Sequence, residues 1–145
     1  MRYLIINGPN LNLLGTREPD IYGNENLWDI ETWLNNNLDS NAHSIEWLQS
    51  NHEGEIIDYL HDAIGKVDGV VINPGALTHY SYSIRDAISS INIPTVEVHL
   101  SDINKREGFR KISVIKDVCI AQVSGLGKNG YLEAVKTLYK KNKYI

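Results

Sequence analysis

Hydrophobic residues along this chain alternate between short unbroken runs and stretches with helical spacing. The unbroken runs predict strands of a parallel sheet that is covered on both faces; they are residues 3–6, 43–49, 69–72, 95–100 and 118–123. Between these runs, apolar residues recur every three or four positions, which predicts amphipathic helices at residues 27–38, 56–64, 84–91 and 131–139. Pro94 forbids continuation of the third helix. Ser50 and Asn51 are predicted to cap the second.

Strands and helices therefore alternate along the whole chain, without repeats, low-complexity tracts or linkers. This order predicts an α/β fold, with right-handed crossovers and helices on both faces of a five-stranded parallel sheet. Residues 1–145 are expected to form a single domain. In such sheets, ligands bind beyond the carboxyl ends of the strands. Residues that bind or react with a ligand are therefore expected at those ends.

The segment after the first strand, residues 7–23, contains three glycines, two prolines and three asparagines. This composition predicts that no helix or strand runs through it. Four apolar residues give it something to bury, which argues against disorder; they are Leu11, Leu13, Leu14 and Ile21. Long irregular segments inside compact domains are often lids. We therefore interpret residues 7–23 as a functional loop over an active site.

Composition sets limits on the class of protein. Hydrophobic residues make up 42% and charged residues 22% of the chain, as in globular proteins. The net charge is −4, so the chain as a whole does not attract nucleic acid or anionic lipid, and an anionic substrate would have to be bound locally. The single cysteine, Cys119, is predicted to be a buried hydrophobe in a reducing compartment. The sequence shows neither a signal peptide nor an apolar segment long enough to span a membrane, so a cytoplasmic location is expected.

Glu97 and His99 follow one another at alternate positions near the end of the fourth strand. Both side chains should point to the same face, where they can form a hydrogen bond. A carboxylate fixes the tautomer of a neighbouring imidazole and favours its protonated form, which suits a general acid. The alternative is a structural ion pair. His79 is expected at the same edge of the sheet.

Tyr22 and Arg17 suggest the complementary base. A phenol with a pKa near 10 is only about 0.1% ionised at pH 7. For most of the Tyr22 side chain to be phenolate at pH 7, its pKa must fall by about 3, which corresponds to about 4 kcal/mol of stabilisation of the anion. A nearby guanidinium in a water-poor site can supply much of that stabilisation. Arg17 is the candidate. Alternatively, Arg17 and Tyr22 only cover the substrate.

Other polar residues at the strand ends suggest a hydroxyl-rich ligand, although each could be a turn residue; they are Asn12, Asn73 and Ser101. Arg110 could hold a hydroxyl or a carboxylate, or lie free on the surface.

Residues 125–130 match G-x-G-x-x-G but come too late in the chain for a dinucleotide-binding unit. The five histidines lack metal-ligand spacing, so no metal site is expected.

Together these residues resemble the type II 3-dehydroquinate dehydratases. The resemblance runs through the whole chain in motifs that include Asn7-Gly8-Pro9-Asn10-Leu11-Asn12, Gln49-Ser50-Asn51-His52-Glu53-Gly54, Asn73-Pro74-Gly75-Ala76, Arg85-Asp86-Ala87, Glu97-Val98-His99, Arg106-Glu107 with Phe109-Arg110, and Gly125-x-Gly127-x-x-Gly130-Tyr131.

This resemblance implies a flavodoxin-like three-layer sandwich. It also implies a cofactor-free trans elimination of water from 3-dehydroquinate through an enolate, giving 3-dehydroshikimate, in the shikimate pathway of aromatic amino acid biosynthesis. Tyr22 would be the base at carbon 2, held ionised by Arg17, and Asn12 would position the water that stabilises the enolate oxygen. His99, oriented by Glu97, would protonate the departing hydroxyl at carbon 1.

The resemblance further implies a set of binding residues and an assembly. Asn73, His79 and Arg110 would bind the ring hydroxyls, and the amides of Leu100 and Ser101 the carboxylate. The family forms dodecamers, tetramers of trimers, in which the residue matching Asp86 reaches a neighbour's site; from its helix position alone, Asp86 is expected to be solvated.

The chain departs from the family pattern at five positions, Tyr80, Tyr82, Asp102, Lys111 and Ile112. These departures bear on substrate affinity and subunit contacts. The alternative hypothesis is a catalytically silent flavodoxin-like domain that binds a sugar acid. A phosphate receiver is disfavoured because Asn7 and Asn73 stand where its aspartates would be required.

Overall fold

The protein is built around a five-stranded parallel sheet. The computed structural model describes residues 1–16 and 18–143, and only the backbone of Ile21 and Tyr22. The strands are β1 (Arg2–Asn7), β2 (Ser44–Gln49), β3 (Gly69–Asn73), β4 (Thr95–His99) and β5 (Ala121–Ser124). Their order across the sheet is β2-β1-β3-β4-β5, with every pair parallel. This is the doubly wound order of the flavodoxin-like fold, so the prediction is confirmed.

Helices cover both faces of the sheet. They are α1 (Pro19–Tyr22), α2 (Leu27–Asn36), α3 (Glu53–Asp62), α4 (Tyr82–Ile91) and α5 (Asn129–Lys143). Successive strand residues point to opposite faces, so Ile5 packs with α2 and α5 while Leu4 packs with α3 and α4. Each face has its own apolar core, and the result is the predicted three-layer sandwich.

Local side-chain chemistry fixes where two of the helices begin and end. Asn26 and Asp29 form a capping box, in which each side chain accepts a hydrogen bond from the other's backbone N–H at the start of α2. Ser81 accepts from the N–H of Ile84 at the start of α4. That helix ends at Asn92, which adopts a left-handed conformation with φ of 53°.

Three predictions of local structure were wrong. The fifth strand begins at Ala121, because residues 116–118 form a 3₁₀ turn and Ala121 is the residue that pairs with Val96. The loop over the site is not free of helix: it contains a 3₁₀ turn at Leu11–Leu13 and α1, which starts at a proline. Ser50 does not cap α3; its hydroxyl accepts from the N–H of His52, ahead of the helix.

The segments that follow β1 and β3 cross in direct contact. The N–H of Gly8 donates to the carbonyl of Asn73 at 2.7 Å. A Cβ on Gly8 would lie 2.5 Å from the carbonyl oxygen of Pro74, and one on Gly75 would lie 2.9 Å from that of Pro9. Only glycine permits this approach, which sets the positions of the two segments that border the site.

Across residues 1–16 and 18–143, no helix has both the length and the apolar character needed to cross a membrane.

Candidate active site

A cavity of about 250 Å³ opens where β1, β3 and β4 end. This is the edge of the sheet at which the fold rule places ligands. Its wall is contributed by the segments after those strands and by the turns near residue 108, and consists of Pro9, Asn10, Leu11, Leu14, Asn73, Gly75, Ala76, His79, His99, Leu100, Ser101, Ile103, Arg106 and Arg110.

His99 and Glu97 form the predicted pair. The imidazole Nε2 lies 2.6 Å from Glu97 Oε1, and both side chains are buried, with 6% and 0% exposed. His99 lines the cavity, while Glu97 lies behind it in the core. With Nε2 turned to the carboxylate, Nδ1 is the ring nitrogen left for a ligand.

Several hydroxyl and amide groups surround the Glu97 carboxylate. Thr78 donates to Oε1 at 2.5 Å, Ser113 donates to Oε1 and Oε2 at 2.8 and 2.9 Å, and Gln122 Nε2 donates to Oε2 at 3.1 Å. Burial alone would raise the pKa of Glu97, but the hydrogen bond and charge of His99, with the bonds from Thr78 and Ser113, hold that pKa below its ordinary value. Glu97 is therefore ionised at neutral pH.

His79 also lines the cavity, and its ring is held by two contacts. Its Nδ1 lies 2.6 Å from the carbonyl oxygen of Ile112, and because a carbonyl can only accept, this nitrogen carries the proton. The ring also packs edge-on against Phe109, whose other contact is the guanidinium of Arg110 at 5.1 Å from the ring centre. In the neutral imidazole, Nε2 is then an acceptor for a ligand hydroxyl.

Asn73, at the end of β3, is held in position by hydrogen bonds with Tyr131 and Gly75. Its Nδ2 donates to the hydroxyl of Tyr131 at 3.3 Å, and its Oδ1 accepts from the N–H of Gly75 at 3.3 Å. The Tyr131 hydroxyl in turn donates to Asn7 Oδ1 at 2.5 Å. Burial raises the pKa of Tyr131, so this hydroxyl stays neutral and serves as a structural donor.

The structure brings six of the predicted site residues together in the cavity wall, namely Asn73, His79, His99, Leu100, Ser101 and Arg110. Asn12 is exposed, and its Oδ1 accepts from Gln49 Nε2 at 3.5 Å. Asp86 is exposed on α4 and is not part of the wall. Tyr22 ends α1, and its side chain lies outside the described residues, as does all of Arg17.

Sequence reasoning missed some contributors to the site. Arg106 lines the cavity and donates to Ser101 Oγ at 3.3 Å. Ser113 and Gln122 contact Glu97 from distant parts of the chain. Gln122 faces Glu97 directly across the β4–β5 register, a pairing for which the sequence carries no local signal.

Four of the residues that are expected to depart from the family pattern make local contacts or lie exposed on the surface. Asp102 Oδ1 accepts from the N–H of Asn104 and so caps the 3₁₀ turn Ile103–Lys105. Ile112 uses only its backbone carbonyl toward His79, and its side chain is exposed. Tyr80 and Tyr82 are also exposed, outside the cavity wall.

Cys119 lies beside the acid pair without joining it. Burial, followed by the neighbouring charge of Glu97, raises the pKa of its thiol to about 12. Cys119 is only half-buried, so the prediction of a buried hydrophobe is confirmed in part, and a thiol with a raised pKa is a poor nucleophile. In the part of the chain that the structure describes, no group of three or more His, Cys, Asp or Glu side chains is arranged to hold a metal ion.

Fold and site together define a flavodoxin-like α/β protein with a buried carboxylate–imidazole pair at the carboxyl edge of its sheet. The family model for class II dehydroquinases matches residues 1–139, so the chain belongs to this family. It is 48% identical to a 3-dehydroquinate dehydratase of Halothermothrix orenii, over 99% of both chains. It is 52% identical to one from Bacillus subtilis, over 94% of this chain and 92% of that one.

A solved structure supports the same assignment. The type II dehydroquinase of Butyrivibrio crossotus superposes with a TM-score of 0.92 and 51% sequence identity, covering 96% of this chain and 97% of that one. The family resemblance predicted from the motifs is therefore confirmed.

Proposed function

We propose that this cavity removes water from 3-dehydroquinate by trans elimination through an enolate, giving 3-dehydroshikimate in the shikimate pathway. Family membership confirms the predicted enzyme class, a hydro-lyase that acts on 3-dehydroquinate. The observation that carries the proposal within the molecule is the His99–Glu97 hydrogen bond at the cavity wall. The alternative, a catalytically silent sugar-acid binding domain, is not favoured, because binding alone does not require a buried acid pair.

The acid half of the reaction is assigned to His99. Elimination of the hydroxyl at carbon 1 needs a proton donor at the leaving oxygen. With Glu97 ionised and holding Nε2–H, His99 protonated at Nδ1 can deliver that proton. Glu97 orients the ring and stabilises its positive charge.

The base half is assigned to the loop after β1. In this proposal Tyr22, as phenolate, removes the proton from carbon 2, and Arg17 keeps the phenolate ionised. Asn12 positions the water that stabilises the enolate oxygen. The support is that both ends of this loop are anchored: the N–H of Gly8 bonds Asn73, and Glu25 pairs with Lys128 at 2.9 Å.

Binding is assigned to the remaining wall. Asn73, His79 and Arg110 would hold the ring hydroxyls, and the backbone amides of Leu100 and Ser101 the substrate carboxylate. The support is their common position around one cavity. A fixed set of amides and one arginine can hold an anion even though the chain carries a net charge of −4.

We further propose that residues 1–145 act as one catalytic domain in a cytoplasmic homododecamer, a tetramer of trimers. Asp86 would reach the site of a neighbouring subunit, which suits its exposed place on α4 outside its own cavity wall. Large exposed apolar side chains close to the cavity support an interface there; they are Tyr80, Tyr82 and Phe109.

The direct test is an assay of the purified protein with 3-dehydroquinate, without added metal or cofactor. We expect the ultraviolet absorbance of the conjugated enone product to appear. A folded, assembled sample that produces none would refute the assignment. Sizing in solution tests the proposed dodecamer.

A further inference from the structure

A shell of three side chains surrounds Glu97 without entering the cavity. Thr78 comes from the 3₁₀ turn Gly75–His79, Ser113 from the segment before β5, and Gln122 from β5 itself. In the described part of the chain, the cavity wall includes none of the three. The side-chain hydrogen bonds of the shell to Glu97 therefore reach the cavity through Glu97 and His99.

Each member of the shell is a donor to the carboxylate. Gln122 uses its amide Nε2, which can only donate. Ser113 accepts from the N–H of Lys116 at 3.1 Å, so its own hydroxyl proton is available to Glu97. The Thr78 hydroxyl is the closest, at 2.5 Å from Oε1. A carboxylate that receives hydrogen bonds at both oxygens is held in one orientation and in its ionised form.

The ionisation of Glu97 decides which form of His99 is present, because the Glu97–His99 pair can distribute the same protons in two ways. One arrangement is a carboxylate with an imidazolium, and the other is a carboxylic acid with a neutral imidazole. Burial favours the neutral arrangement, whereas donors to the carboxylate stabilise only the charged one. Only the charged arrangement presents a strong acid at His99 Nδ1.

We propose that Thr78, Ser113 and Gln122 are positioning residues for the dehydration: they keep Glu97 ionised and fixed, and so keep His99 oriented as the imidazolium acid. This inference rests on the proposed function for its kinetic consequence. Its structural consequence, the protonation state of the His99 ring, does not depend on any substrate.

The test compares variants that remove or keep one donor. Thr78→Val deletes the hydroxyl with little change of shape, whereas Thr78→Ser retains it. Gln122→Met removes the amide from a side chain that is only partly buried. Thr95→Val is the matched control: Thr95 is equally buried on the same strand as Glu97, but its hydroxyl donates to the carbonyl of Ile93 at the far end of that strand.

In steady-state kinetics with 3-dehydroquinate, we expect Thr78→Val to lower kcat about tenfold, as losses of supporting hydrogen bonds behind a reactive group commonly do. KM should stay within about twofold, because the shell does not touch the substrate. Gln122→Met should act in the same direction, and Thr78→Ser and Thr95→Val should resemble the wild type. A fall in kcat for Thr95→Val equal to that for Thr78→Val would overturn the inference.

The second measurement is ¹⁵N NMR of the histidine rings in the protein without ligand, with the His99 signals assigned by their loss in His99→Gln. We expect the His99 ring to show a larger imidazolium fraction in the wild type and in Thr78→Ser than in Thr78→Val and Gln122→Met, all compared at the same pH. Identical His99 signals in all variants would refute the role of the shell. If Thr78→Val does not fold, Gln122→Met decides the question.

The two measurements separate the two hypotheses. A wild type that does not turn over 3-dehydroquinate but whose His99 signals respond to Thr78→Val would refute the proposed function and support the shell. An active wild type whose kcat and spectra are indifferent to both substitutions would leave the function intact and overturn the shell.

Discussion

At the scale of single residues, the site depends on matching each buried polar group with a partner. Glu97 is fully buried and yet ionised because His99 pairs with it and the hydroxyls of Thr78 and Ser113 donate to it. Asn73 and His79 are fixed in the same manner, by Tyr131 and by the carbonyl of Ile112. The wall of the cavity is therefore preorganised on the acid and binding sides before any substrate enters.

The proposed role of Tyr22 as the base leads to a prediction about its hydroxyl group. Tyr22→Phe should lower kcat by at least about a thousandfold, since no other group replaces the phenolate, while binding of the reaction product changes little. Arg17→Ala should lower kcat and move the acid limb of the pH–rate profile to higher pH, because the phenol pKa would rise. Steady-state kinetics and product-binding calorimetry measure both effects.

The control for this pair is Tyr139→Phe, which removes a hydroxyl from the exposed surface of α5. Appreciable turnover by Tyr22→Phe would show that Tyr22 is not the base. An unaltered pH–rate profile in Arg17→Ala would show that Arg17 does not tune it.

The raised pKa of Cys119 leads to a prediction about its reactivity. Because the thiol titrates near 12 rather than 9, its thiolate fraction at pH 8 is about a thousandfold below that of an unperturbed cysteine. Alkylation of the folded protein by iodoacetamide should therefore be slower than alkylation of the urea-unfolded chain by about tenfold or more, since the greater nucleophilicity of a thiolate with a high pKa offsets part of its lower population. Cys119→Ala should retain kcat. Equal alkylation rates for the folded and unfolded protein would contradict the burial of this thiol.

At the scale of elements, the site depends on the crossing of the segments that follow β1 and β3. Gly8 and Gly75 let two backbones approach to a distance that no side chain permits. One segment leads into the loop that carries Asn12, Arg17 and Tyr22. The other carries the turn with Thr78 and His79. Their crossing therefore sets the position of the start of the loop relative to the turn that carries His79.

The close approach of these two segments predicts that a single methyl group added at Gly8 lowers the stability of the fold. Gly8→Ala should reduce the free energy of unfolding by about 2–3 kcal/mol, because its Cβ meets the backbone of Pro74, which cannot move aside cheaply. It should also lower kcat by displacing the loop. Gly54→Ala is the control: it lies in α3 with open space around its Cβ, where alanine favours helix. Urea unfolding measures both, and equal stabilities would contradict the proposed contact.

At the scale of the whole molecule, each cavity is proposed to depend on a neighbouring subunit. Asp86 lies outside the cavity wall of its own chain, and the exposed apolar side chains near the cavity include Tyr80 and Phe109. In the proposed assembly, Asp86 would act at the cavity of a neighbouring subunit rather than at its own.

Subunit mixing tests this dependence. Tyr22→Phe and Asp86→Ala should each be inactive alone, since each lacks one part of every site. When the two are unfolded, mixed in equal amounts and reassembled, about a quarter of the sites should combine an intact Tyr22 with an intact partner Asp86. We expect turnover to return to that extent. If Asp86 serves its own chain, the mixture will stay as inactive as its components.

The sequence by itself determined the features that depend on short-range periodicity. Alternation of apolar runs with helical spacing is local, and it was enough to predict an α/β sheet with helices on both faces. The pairing of Glu97 with His99 was equally predictable, because residues two apart on a strand share a face whatever the strand packs against. Motifs along the chain were specific enough to predict the family.

The tertiary structure alone decided which distant residues meet. Thr78, Ser113 and Gln122 lie 19, 16 and 25 residues from Glu97, and only the folding of two turns and the β4–β5 register brings them to its carboxylate. The start of β5 shows the same limit, since the apolar character of residues 118–123 cannot say which residue pairs with Val96. Hydrophobicity specifies burial, whereas hydrogen-bond partners across the sheet specify register, and the shell around Glu97 depends on register.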